Sequence, residues 1–63
     1  MNREYEVIYS LGKKYGSGTF EGTSGMQYLR IRVQATSSTN AQRIVESMFG
    51  GPERCQAGPG NLV

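Results

Sequence analysis

Between Tyr28 and Phe49 the spacing of apolar residues changes period, and this change constrains the fold more than any other feature of the chain. In residues 28 to 35, Leu29, Ile31, Val33 and Ala35 alternate with Tyr28, Arg30, Arg32 and Gln34. Period two with β-branched residues predicts a half-buried strand. From Ala41 onward, Ala41, Ile44, Val45, Met48 and Phe49 recur at helical spacing, with Gln42, Arg43, Glu46 and Ser47 on the wet side. Between the two patterns, Ser37-Ser38-Thr39-Asn40 offers several N-cap residues, and Thr39 with Gln42 matches a capping box. Gly50-Gly51-Pro52 supplies a stop, because Gly accepts the left-handed C′ position and Pro cannot continue a helix. A helix this short is unstable alone, so its stripe must pack on a sheet.

A second alternating stretch precedes this unit. In residues 4 to 11, Tyr5, Val7, Tyr9 and Leu11 share one face, and Glu4, Glu6, Ile8 and Ser10 share the other. If both strands turn their apolar faces to one core, Glu4 and Glu6 share the outer face with Arg30 and Arg32. Residues 12 to 25 contain five glycines, which read as positions of positive φ or bulges. Thr19-Phe20-Glu21 has strand character, so either an extra strand or long hairpin arms fit this segment. After the helix, Arg54-Cys55-Gln56-Ala57 can form a short edge strand, and Leu62 and Val63 either dock or fray. The expected fold is a single small α+β domain over residues 1 to 63. It is an antiparallel β-sheet of two or three strands with one amphipathic helix on one face, in the order β-β-α or β-β-α-β.

Composition narrows the chemistry. With 63 residues, a chain buries only about 60% of its unfolded surface and is marginally stable without help. One Cys and no His leave no intramolecular disulfide and no usual zinc ligand set. That leaves self-association or a very efficient small core; a sheet with one helix keeps one face uncovered, so a homodimer through that face or a strand edge is expected. No His stands ready to activate Cys55, and Glu4, Glu6, Glu21, Glu46 and Glu53 are the only carboxylates. The expectation is a non-enzymatic chain with no cofactor and no metal. No apolar run has the length of a membrane span or signal peptide, which predicts no membrane and a cytoplasmic location.

Two surfaces stand out. Ile8, Tyr28, Arg30 and Arg32 fall on the outer sheet face and form a candidate protein-interaction surface. Lys13, Lys14, Tyr15, Arg30 and Arg32 form a basic and aromatic set that could contact nucleic acid. The plainer reading of the second set is a salt-bridged face, because Glu4 and Glu6 cancel part of its field. Gly12 to Thr19 carries glycines with Lys and Ser/Thr, but it lacks the Gly-Lys-Ser/Thr spacing of a phosphate loop.

The run from Leu29 to Gly51 resembles small uncharacterised proteins of bacteriophage and marine bacterial genomes. Val33-Gln34-Ala35 and Ala41-Gln42-Arg43-Ile44-Val45-Glu46-Ser47-Met48-Phe49-Gly50-Gly51 carry the resemblance. It implies a strand-to-helix unit in a phage-encoded accessory or structural protein, located in the host cytoplasm. The expected role is therefore a self-associating interaction module, with nucleic-acid binding as the alternative.

Overall fold

The computed structural model describes the backbone of residues 1–15, 19–22 and 28–63, and side chains within 1–13, at 20 and within 28–63. The elements run β1 (Arg3–Tyr15), β2 (Thr19–Gly22), β3 (Leu29–Ala35), α1 (Ser38–Met48), β4 (Cys55–Ala57) and β5 (Asn61–Leu62). The α+β class with one helix on an antiparallel sheet is as the residue pattern predicts.

Among the described residues every other strand pairs with β1, always antiparallel. On one edge β3 pairs from Arg3↔Ala35 to Tyr9↔Leu29. On the other edge β4 pairs Tyr9↔Ala57 through Leu11↔Cys55, and β5 pairs Tyr5↔Leu62 and Glu6↔Asn61. The far end of β1 forms long hairpin arms with β2, from Gly12↔Gly22 to Tyr15↔Thr19. The strand character of Thr19-Phe20-Glu21 is thus real, but β2 does not lie between β1 and β3. Gly12 is a strand residue whose N–H donates to the Arg54 carbonyl at 2.9 Å. Gly16, Ser17, Gly18 and Gly25 lie outside the described residues.

Because β3 and β4 both oppose β1, they run the same way with β1 between them. The connection from one to the other must cross β1, and α1 is that crossover. Its passage decides which face is core. Val7, Tyr9, Ala35, Ala41, Val45, Cys55 and Ala57 are buried, with Tyr5, Leu11, Ile31, Val33, Ile44 and Phe49 packed around them. Tyr9 stacks on Phe49 with ring centroids 4.8 Å apart and planes at 18°.

The helix boundaries differ in detail from the capping-box expectation. Ser37, not Thr39, is the N-cap: the Asn40 N–H donates to its Oγ at 3.1 Å. Asn40 Oδ1 in turn accepts from the Thr36 N–H at 3.1 Å, so the reciprocal bond reaches one residue further back than in a standard box. Gln42 is not on the wet side. Its Nε2 donates to the Ala57 carbonyl at 2.7 Å and ties α1 to β4. Within the stripe, Ala41 and Val45 are buried, but Met48 is 54% exposed. Ile44 and Phe49 are partly buried against the core, Phe49 through its stack on Tyr9. The Gly50-Gly51 stop is as expected, with φ of +98° and +93°.

The segment after Pro52 is docked. Gly60 is buried, its N–H donates to the Ser38 carbonyl at 3.0 Å, and the Val63 N–H donates to the Glu4 carbonyl at 3.1 Å. A Cβ on Gly60 would stand 2.9 Å from Ala41 Cβ and 3.0 Å from Tyr5 Cβ. Absence of a side chain is what lets the tail pass between helix and sheet.

Candidate interaction face

The register builds the outer face directly. Residues opposite one another share a face, so Glu6 lies between Arg32 and Asn61, Ile8 lies opposite Arg30, and Ser10 lies opposite Gln56. Tyr28 precedes β3 and is 75% exposed. The four residues of the expected interaction surface, Ile8, Tyr28, Arg30 and Arg32, are therefore brought to one face. Ile8, Ser10, Tyr28, Gln56, Ala57 and Gly58 line a shallow hollow of about 310 Å³ on it. Ser10, Gln56 and Gly58 were not among the predicted residues. The strand character of residues 54 to 57 was the signal that could have placed Gln56 there.

The expected charge pairing across the strands is present between Arg32 Nε and Glu6 Oε2, 3.7 Å apart, with side chains 57% and 31% exposed. At that exposure the pair contributes at most about 1 kcal/mol. Its larger effect is on the field of the face, where it offsets one of the two arginine charges.

The basic set is less well assembled. Lys13 is exposed on β1 and opposite Glu21 in register. It stands five residues beyond Ile8, about 16 Å along the strand. The side chains of Lys14 and Tyr15 lie outside the described residues. Among the described residues, no group of three or more His, Cys, Asp or Glu is placed to hold a metal ion. No helix among them is long and apolar enough to cross a membrane.

Cys55 is fully buried in the core. Burial pushes its thiol pKa up, and the nearby Glu46 carboxylate adds to the rise. Arg54, its neighbour in sequence, does not make it a low-pKa thiol. The folded chain therefore holds this proton to higher pH than the unfolded chain does. Its contribution to stability is complete below the ordinary thiol value of 9.0 and is lost as pH rises through the folded value. Thermal melts should show stability falling above that pH, and Cys55→Ala should flatten the slope. Thiol reagents should label the native protein only at the rate at which it opens.

Compared with family models, with curated proteins and with solved structures, the chain finds no match in any of the three.

Proposed function

We propose that this chain is a non-enzymatic protein-interaction module that self-associates and presents its outer sheet face to a protein partner, in the role of a phage-encoded accessory or structural component. The observation that carries the reading is the one-sided core. Among the described residues α1 covers one face of the sheet, and the other keeps Ile8 beside a hollow with Tyr28 75% exposed at its rim. Aromatic residues and arginine in such a setting are the residue types that dominate protein interfaces. The face also carries both signs of charge, through Glu4, Glu6, Arg30 and Arg32, which suits a protein surface better than a phosphate backbone.

Light scattering over a range of concentrations tests the self-association. The expected result is a dimer mass at high concentration, unaffected by added salt; a monomer mass throughout sinks the proposal. Heparin retention separates the nucleic-acid alternative. Retention that collapses with salt would favour that alternative, and the expected result is no retention beyond that of a weakly basic protein.

A further inference from the structure

We propose that a second copy of this chain pairs antiparallel with the open edge of β3, in the register that places Val33 opposite Val33. This rests on the self-association proposed above and names the surface that performs it.

The direction of the backbone groups comes first. In an antiparallel ladder, the N–H and C=O of one residue point to the same edge, and successive residues alternate edges. Gly12 N–H donates to Arg54, Gly58 N–H donates to the Ile8 carbonyl, and Val63 N–H donates to the Glu4 carbonyl. Even-numbered residues of β1 thus serve the edge of β4 and β5. Odd-numbered ones serve β3, where their register partners are Leu29, Ile31, Val33 and Ala35. The backbone groups of Arg30, Arg32 and Gln34 therefore point away from β1. Among the described residues no strand pairs with that side of β3, and all three residues are exposed. The strand holds no proline, and its edge is guarded only by the charges of Arg30 and Arg32, which restrict the registers a partner strand can take.

Charge then selects the occupant's register. A two-fold pairing of β3 with itself must match even residues with even residues to use these groups. Centred on Ile31, it sets Arg30 against Arg32; centred on Arg32, it sets that residue against itself. Like charges directly opposite oppose pairing. Centred on Gln34, it calls on the Thr36 N–H, which already donates to Asn40 Oδ1. Centred on Val33, Arg32 meets Gln34 twice through full backbone exchange, Val33 meets Val33, and Ile31 meets Ala35. Arg30 falls opposite the engaged Thr36 at each end, but the two Arg32–Gln34 exchanges do not need it, whereas the Gln34-centred pairing keeps only one exchange without it. No arginine faces another. A two-fold axis normal to the sheet also keeps both helices on one side. The two outer faces, each with its Ile8 and Tyr28, become one continuous surface for a partner.

Three variants and one mass measurement test this. Val33 residues facing each other in a non-hydrogen-bonded pair have Cα atoms about 4.5 Å apart, within disulfide range. Val33→Cys in a Cys55→Ala background should therefore oxidise in air to a covalent dimer. Arg32→Cys in the same background should cross-link far more slowly. Gln34→Pro removes an outward N–H and leaves the β1–β3 ladder intact. It should raise the dimer dissociation constant about a hundredfold or more with an unchanged circular dichroism spectrum. If Gln34→Pro unfolds, the cross-linking result decides alone. A wild-type dimer whose Val33→Cys form stays reduced overturns the β3 edge and leaves self-association standing. A wild-type monomer at millimolar concentration overturns both.

Discussion

Gly60→Val is expected to leave the chain largely unfolded at room temperature, whereas Gly58→Ala should be close to neutral. The two glycines lie in the same tail segment but meet different surroundings. At Gly60 an added Cβ falls 2.9 Å from Ala41 Cβ and 3.0 Å from Tyr5 Cβ, and neither atom is the far end of a flexible side chain. At Gly58 the nearest atom is the Ile8 carbonyl oxygen, at an ordinary 3.8 Å. Overpacking by one methyl typically costs about 1–3 kcal/mol, and valine adds two more carbons. A chain of this size has roughly 3–9 kcal/mol in total. Gly51→Ala supplies the control for backbone strain, since Gly51 has φ of +93° and open space around it. It should cost about 1 kcal/mol. Urea denaturation of the set, followed by circular dichroism, gives the order; a fully folded Gly60→Val would show that the tail is not wedged between helix and sheet.

Tyr9→Ala should be nearly as damaging, at about 3–5 kcal/mol on the scale of large aromatic truncations. Tyr9 is only 8% exposed, pairs with Leu29 on one edge and Ala57 on the other, and carries the ring that Phe49 stacks upon. Its removal loosens both edges of the sheet and the end of the helix together. Tyr9→Phe keeps the ring and should change stability little. In a double-mutant cycle with Phe49→Leu and Tyr9→Leu, the stacking should appear as a coupling of about 0.5–1.5 kcal/mol. Additive single effects would mean that the rings are adjacent without acting on one another.

The parts of the fold legible in the sequence are those set by neighbours in the chain. Alternation in residues 28 to 35 and the Gly50-Gly51 stop each state a local preference, and β3 and the end of α1 follow them. The shared face of Glu6 and Arg32 was legible for the same reason. The capping-box pattern points to Thr39 as the N-cap and is wrong, because four consecutive capping residues compete. Ser37 prevails in the frame that lays Ala41 and Val45 on the sheet. Met48 fits the stripe by spacing, yet it is 54% exposed, because burial is decided by tertiary packing that spacing alone does not state. The docking of Gly60 was beyond reach, since the requirement for glycine arises from Tyr5 and Ala41, far away in sequence. Among the candidate surface residues, alternation placed Ile8, Arg30 and Arg32 correctly, while the hollow they border needed β4 to be seen.

The sharing of β1 by all other strands also governs how the fold can be reached. Its partners are residues 19–22, 29–35, 55–57 and 61–62, so five of its sixteen described register pairs wait on residues 55–62. Long-range pairings of this kind slow folding, because loop closure precedes the gain from contact. During synthesis, β1 and β3 can zip together and α1 can collapse onto them. The groups of Glu4, Ile8 and Gly12 that later bind Val63, Gly58 and Arg54 remain open until those residues leave the ribosome. The half-made domain thus has a sticky strand on its unfinished side, and the segment from Arg54 to Val63 is the one that seals it.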